Sequence, residues 1–219
     1  DLQSAGNAGE FYTPRALTDF IVMMLDPKLG ETFGDFTSGT GGFLTSALNY
    51  MSKSVRSAED GEKLQNAVVG QEWKPLPYLL SITNLLLHDI EAPNIANCDS
   101  LGTNITDFKE SDKVDVIGMN PPYGGSTEDS IKSNFPVQYR SSETADLFIA
   151  LIMYRLKAGG PGRRRRAHLL LCGAVHRLRP ALYHPPVSGG GLRLGGHPPR
   201  HHPEFSGPPR PEGRRGDRP

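Results

Sequence analysis

The sequence predicts an α/β fold, a mainly parallel sheet with helices on both faces. Three observations carry the prediction. Short apolar runs alternate with longer segments of helical periodicity, as in strand–helix–strand units. A glycine-rich turn, Ser38-Gly39-Thr40-Gly41-Gly42, follows the first strand and opens a helix. The residues of unusual chemistry fall just after strands, where open parallel sheets hold their ligands.

The elements follow in order. Thr13-Pro14 offers a hydroxyl cap and then proline at the first helical position. Leu17, Phe20, Ile21, Met24 and Leu25 repeat along one helix face, and Asp26-Pro27 ends it. A first strand over 32–36 leads into the glycine turn and a helix over 43–51. The polar stretch 52–66 reads as a surface loop or a frayed helix end. Residues 67–70 form a second strand ending in Gln71-Glu72, and the leucine-rich stretch 75–90 reads as a buried helix. Residues 95–98 make a third strand with Asp99 at its exit. A fourth, 114–119, runs into Asn120-Pro121-Pro122-Tyr123. A helix over 144–157 carries Leu147, Phe148, Leu151, Ile152 and Tyr154, and stops at Gly159-Gly160. There are no internal repeats.

Hydrophobic residues make up 37% of the 219 and charged residues 22%, which supports a modest globular core. No run approaches the ~20 apolar residues of a membrane-spanning helix, and no secretory segment opens the chain. Two cysteines, Cys98 and Cys172, are too few for a disulfide scaffold and point to a cytoplasmic setting. The chain opens at Asp1 instead of a methionine, so a fragment is expected.

The net charge of zero averages two unlike pieces. Residues 1–159 hold 12 Lys+Arg and 21 Asp+Glu, a net of −9, whereas residues 160–219 hold 12 Arg and three acids, a net of +9. The last 60 residues contain 11 Gly, 11 Pro and six of the seven histidines. Ile, Met, Thr, Asn and Lys number 42 in the first 159 residues and are absent from the last 60. These five amino acids have only codons beginning with adenine, so their joint loss is the mark of GC-rich DNA read out of frame. The expected organisation is a partial catalytic core, 1–159, followed by an out-of-frame, disordered Arg/Pro/Gly-rich tail, 160–219. The sheet would then be truncated after the fourth strand and its helix. That leaves the fourth strand as an exposed edge and predicts poor solubility and little turnover.

Several side chains point to chemistry. The glycine turn lets a ligand approach the backbone closely, although it lacks the Lys-Ser/Thr ending of a P-loop and the full dinucleotide spacing. Asp35, just before the turn, suits an amino group. Glu72 suits a ribose diol and Asp99 an adenine ring. Each could equally be a solvated carboxylate, but three consecutive strand ends favour a nucleoside carrying an amino acid. In Asn120-Pro121-Pro122-Tyr123 the prolines fix the backbone and remove two donors. The Asn120 amide oxygen and the Pro121 carbonyl can then accept both hydrogens of one planar NH2 group. Tyr123 offers a face on which a base can stack. A plain turn is the alternative.

Gly9-Glu10-Phe11-Tyr12-Thr13-Pro14-Arg15, the segment 35–44, Gly70-Gln71-Glu72, Asn120 to Tyr123 and the segment 143–148 together resemble the S-adenosylmethionine-dependent N6-adenine DNA methyltransferases. More narrowly, they resemble the modification subunit of type I restriction–modification systems, over residues 6–160. The resemblance implies a Rossmann-like methyltransferase fold, S-adenosylmethionine as cofactor, and methyl transfer to a flipped adenine. It implies that Glu10, Phe11, Tyr12, Thr13 and Pro14 close over the methionine part of the cofactor. Ser38, Gly39, Thr40, Gly41 and Gly42 would carry its amino-acid end and Glu72 its ribose. Asn120, Pro121, Pro122 and Tyr123 would be catalytic. The implied partners are DNA, a specificity subunit and, where present, a restriction subunit. Two departures stand out: Asp35-Phe36-Thr37-Ser38 replaces the family's Asp-Pro-Ala-Cys, and Gly159-Gly160 is followed by Pro161-Gly162 and four arginines instead of a fifth strand.

Two other readings stay open. Glutamine-amide methyltransferases of release factors use the same Asn-Pro-Pro-Tyr, since an amide NH2 poses the same geometric problem. An inactive remnant could instead bind nucleic acid through the basic tail, centred on Arg163 to Arg166. No metal site is expected, His197, His201 and His202 notwithstanding.

Overall fold

A computed structural model describes residues 12–122, 127–158 and 166–169. Its centre is a five-stranded, wholly parallel sheet. The strands are β1 (Phe33–Asp35), β2 (Val68–Gln71), β3 (Ile95–Ala96), β4 (Val116–Met119) and β5 (Arg166–Leu169), in the order β3-β2-β1-β4-β5. The chain builds outward from β1 to β3, then returns to the other side of β1 to begin β4. The switch point therefore lies between β1 and β4, and a crevice opens at their carboxyl ends.

Two apolar layers cover the sheet, and side chains alternate between them strand by strand. Phe33, Val68 and Val116 face α1 (Arg15–Leu25), α2 (Gly42–Ser52) and α4 (Pro75–Leu86), together with Ile21, Val22, Leu44, Leu48 and Leu85. Phe36, Ile117 and Met119 belong to the opposite layer, with Leu147, Phe148 and Leu151 of α6 (Thr144–Arg155). Close packing demands glycine inside the strands. A Cβ on Gly118 would come within 2.7 Å of the Phe33 ring, and one on Gly70 within 2.9 Å of Leu44.

Four sequence expectations are corrected. The segment 52–66 contains a further helix, α3 (Ala58–Gln65). Ser57 caps it by accepting from the Asp60 amide at 3.2 Å, and Glu59 and Asp60 sit favourably in its first turn. Next, α4 is not a buried helix. Ser81 and Leu85 are its buried residues, whereas Leu76, Leu79, Leu80 and Leu86 are exposed, as are Trp73 before it and Leu87 after it. A helix covered on one side only, here by α2 and β3, can bury only one stripe. Third, Pro14 and not Thr13 occupies the cap position of α1, and a proline side chain has no polar group with which to cap, while Thr13 Oγ1 accepts from Asn120 Nδ2. At the other end Asp26 closes α1 in a left-handed conformation (φ 50°), its amide bonding the Val22 carbonyl.

The fourth correction concerns the expected truncation. A fifth strand pairs in parallel along the full length of β4, Val116 opposite Arg166 through Met119 opposite Leu169. Strand pairing asks only for backbone N–H and C=O groups, and β4 offers a free row of them. Arg166 anchors the strand by donating to the carbonyls of Leu25 and Asp26 and pairing with Glu31. The other residues of the 160–219 segment, Cys172 and His197, His201 and His202 among them, lie outside the described residues. α5 (Asp129–Lys132) and three short 3-10 turns complete the connections.

Replacing Gly118 by alanine should cost about 1–3 kcal/mol, the usual range for overpacking a rigid core. Urea unfolding would show this as a lowered midpoint at constant slope. An unchanged midpoint would mean that Phe33 yields without cost.

Candidate active site

The alternation that sends Phe33, Val68 and Val116 to one face sends Asp35, the last residue of β1, and Glu72 and Asn120, the first residues past β2 and β4, to the same face. The glycine turn lies between them. Gly39 (φ 54°) and Gly41 (φ 83°) hold left-handed backbone, and the Gly41 amide donates to the Ser38 carbonyl at 2.7 Å. A Cβ on Gly41 would stand 3.3 Å from that of Ser81. The turn is pinned from outside as well. Ser38 N donates to the Gln71 carbonyl at 3.0 Å and Asn84 Nδ2 to the Thr40 carbonyl at 3.1 Å. Arg15 donates to the Gly42 carbonyl at 3.1 Å and to the Thr45 hydroxyl. Helix α2 starts at Gly42, so its first amides point out of the helix without intrahelical acceptors, as an anion site requires.

Each predicted carboxylate has a distinct setting. Asp35 is 1% exposed, and its Oδ1 accepts from Thr37 N at 3.0 Å and Thr37 Oγ1 at 3.4 Å. Burial pushes its pKa up to about 7, and the charge of Glu72 adds to the rise while the Thr37 bonds resist it. Glu72 braces the turn, Oε2 accepting from Gly39 N and Oε1 from Lys74 N, both at 2.8 Å. A carboxylate has about four lone-pair sites, so each oxygen keeps one for a ligand. Asp99 Oδ1 accepts from Leu101 N at 2.9 Å, and Ser100 Oγ ties this loop to the Phe36 carbonyl at 2.5 Å.

Asn120 follows β4 directly. Its Nδ2 donates to Thr13 Oγ1 at 3.1 Å, which orients the carboxamide. Among the described residues two buried side-chain oxygens have no hydrogen-bond partner, and both are here: Ser38 Oγ and Asn120 Oδ1. A buried acceptor left unpaired costs stability unless a ligand completes it. Pro121 is buried and Pro122 exposed. Tyr12 and Pro14 are exposed at the start of α1. Glu10, Phe11 and Tyr123 lie outside the described residues. The contacts of Thr13, Arg15, Asn84 and Ser100 have no counterpart in the sequence reading. Among the described residues no group of three His, Cys, Asp or Glu could hold a metal, and no helix is long and apolar enough to cross a membrane. A cleft of about 710 Å³ is lined by Thr32, Asn66 and Val114 ahead of the strands and by Gln71, Phe108 and Arg155.

The sequence profile described as N-6 DNA Methylase matches residues 2–168. The chain belongs to that family. Over 155 residues the chain is 51% identical to the methylase subunit of the type I restriction enzyme EcoEI of Escherichia coli, covering 70% of this chain and 31% of that one. A solved modification subunit of a type I restriction enzyme from Vibrio vulnificus YJ016 superposes with a TM-score of 0.71 at 45% identity, covering 76% of this chain and 35% of the other. A chain from a structure of type I restriction–modification complex assembly and conformational transition gives 0.67 at 38% identity, covering 74% and 32%. The chain thus spans about a third of the length of these relatives.

Asp35 sets a pH dependence. An acid whose pKa rises from about 3.9 unfolded to about 7 folded costs stability as pH climbs between those values, by a few kcal/mol once both are passed. Asp35→Asn should therefore melt higher than the parent at pH 8, with the gap closing toward pH 5. A gap independent of pH would contradict the assignment.

Proposed function

We propose that this chain is the catalytic core of a site-specific N6-adenine DNA methyltransferase, the modification subunit of a type I restriction–modification system, acting in the cytoplasm. The observation that carries the reading is the unpartnered, buried Oδ1 of Asn120. It belongs to an Asn-Pro-Pro motif that follows β4, the strand paired with β1, which ends in the buried Asp35 and runs into the glycine turn. Asn120 Oδ1 and the Pro121 carbonyl accept the two N6 hydrogens of the target adenine. That leaves the nitrogen lone pair directed at the methyl donor. Pro122 fixes the backbone and Tyr123 stacks on the base, which must leave the duplex at a cost of a few kcal/mol. Rate enhancement comes from positioning and polarising the amine, with no strong base.

The residues present fit S-adenosylmethionine, which supplies an activated methyl group when bound. Asp35 takes its ammonium, and the free amides of α2 take its carboxylate. Ser38 Oγ and the backbone of Gly39, Thr40, Gly41 and Gly42 line its amino-acid end. Glu72 accepts from the ribose diol and Asp99 from the adenine amino group. Glu10, Phe11, Tyr12, Thr13 and Pro14 close over the methionine part. A specificity subunit chooses the DNA site, in keeping with the net charge of −9 over residues 1–159, which does not seek phosphates unaided. A restriction subunit joins where one exists. Residues 160–219 we read as out of frame. Resequencing the encoding DNA and finding another frame that continues Gly159-Gly160 into an apolar strand is the check.

The functional test incubates the chain with labelled S-adenosylmethionine and either duplex DNA with the specificity subunit or a release factor. Mass spectrometry should find N6-methyladenine, and Asn120→Ala should reduce it by at least ~100-fold, a loss of the order seen on removing one preorganised transition-state partner. Methylglutamine in the release factor would establish the amide reading. DNA binding without transfer, abolished by deleting residues 160–219, would establish the inactive remnant.

A further inference from the structure

Arg155, near the end of α6, is 6% exposed. Its guanidinium is gripped between two rings, 3.9 Å from the centroid of Phe36 and 4.6 Å from that of Phe108. Nε donates to the Asp112 carbonyl at 2.8 Å, and a terminal nitrogen donates to Gln71 Oε1 at 3.3 Å. The Gln71 amide donates in turn to Cys98 Sγ at 3.4 Å. Among the described residues Arg155 forms no ion pair. An apolar side chain would fill the same space without desolvating a cation, so packing alone does not account for an arginine here.

What the guanidinium touches is informative. Phe36 follows Asp35, Gln71 precedes Glu72, and Cys98 precedes Asp99. Neighbouring residues at a strand end point to opposite faces, so the partners of Arg155 are the undersides of the three positions that carry carboxylates. The Ser100 hydroxyl on the Phe36 carbonyl joins the first and third of these ends directly. We propose that Arg155 is a positioning residue: from the face opposite the site it holds the ends of β1 and β2 and the loop after β3 in one register, so that Asp35, Glu72 and Asp99 meet the same ligand. The planar fork suits this task, because it can stack on rings and donate in two directions at once. The inference rests on the cofactor reading above for its ligand, and on the geometry alone for its effect on the loops.

The test uses the full chain, calorimetric titration with S-adenosylmethionine, and hydrogen exchange of the ligand-free protein. Arg155→Met and Gln71→Leu should each weaken S-adenosylmethionine binding by at least ~10-fold, as expected for losing a hydrogen bond to a charged group. The double variant should bind no more weakly than the worse single one, because both remove the same chain of contacts. Arg155→Lys, which keeps a donor, should recover part of the loss. Exchange should accelerate at residues 70–72 and 98–102 in the variants and stay as in the parent at Gly34 and Ile117. Variants that bind like the parent overturn the proposal, even if they exchange faster or melt lower, since a purely structural role predicts that pattern. If the parent itself does not bind S-adenosylmethionine, the cofactor reading fails. The positioning of a ligand by Arg155 then falls with it, whereas a parent that binds beside variants that bind equally well overturns the positioning alone. Should Arg155→Met fail to fold, Gln71→Leu carries the same comparison.

Discussion

Parallel pairing on β1 governs everything at the site. Phe33 stands opposite Val68 on one side and Val116 on the other, and that register leaves Asp35, Glu72 and Asn120 pointing the same way two or more residues later. A slip of one residue in either ladder would turn one of the three to the far face. The glycines at 34, 70 and 118 serve this constraint, since each sits where a Cβ would strike a neighbour across the layer at 2.9 Å or less. The pairing also places the crevice, because the crossover from β3 to β4 leaves the carboxyl ends of β1 and β4 uncovered by a connecting helix.

The same geometry creates a conflict that the folded chain carries unresolved. Asp35 is buried deeply enough that holding it ionised near neutral pH is unfavourable. Two oxygens nearby, on Ser38 and Asn120, are buried without partners. Good folding would remove all three features, so a region optimised for stability alone would not contain them. On the reading proposed above, the cofactor's amino-acid end relieves Asp35 and Ser38, and the planar NH2 group of the target base relieves Asn120. Binding of either and the stability of the strand ends are then coupled through the same atoms.

Much of this was legible in the residues. Strand positions, the glycine turn and the carboxylates follow local rules of periodicity and turn chemistry. What escaped was of two kinds. Helix α3 buries no residue, so it has no apolar stripe, and its one marker is Ser57 three residues before Asp60. The leucines of α4 announce apolarity but not which of them a neighbour covers. Contacts between distant positions are the second kind. Thr13 reaches Asn120 across 107 positions and Arg155 reaches Gln71 across 84, separations no periodicity encodes. The fifth strand was obscured for another reason. Composition reports how residues 160–219 differ from the rest, whereas a vacant row of amides and carbonyls on β4 accepts a partner with little regard to its side chains.

That last point bears on how the molecule meets copies of itself. Among the described residues the sheet ends on one side in β3, two residues long and close behind Pro93, and on the other in β5, headed by an arginine tied to Glu31. Short strands, prolines and charges are the devices that keep one sheet from extending into the next. Among the described residues the Phe20, Met23 and Met24 side of α1 is exposed, and so is the leucine face of α4, where no backbone is available for ladder formation. Contact between copies through that face joins side chain to side chain, and such contacts dissolve with a change of solvent where cross-β stacks do not.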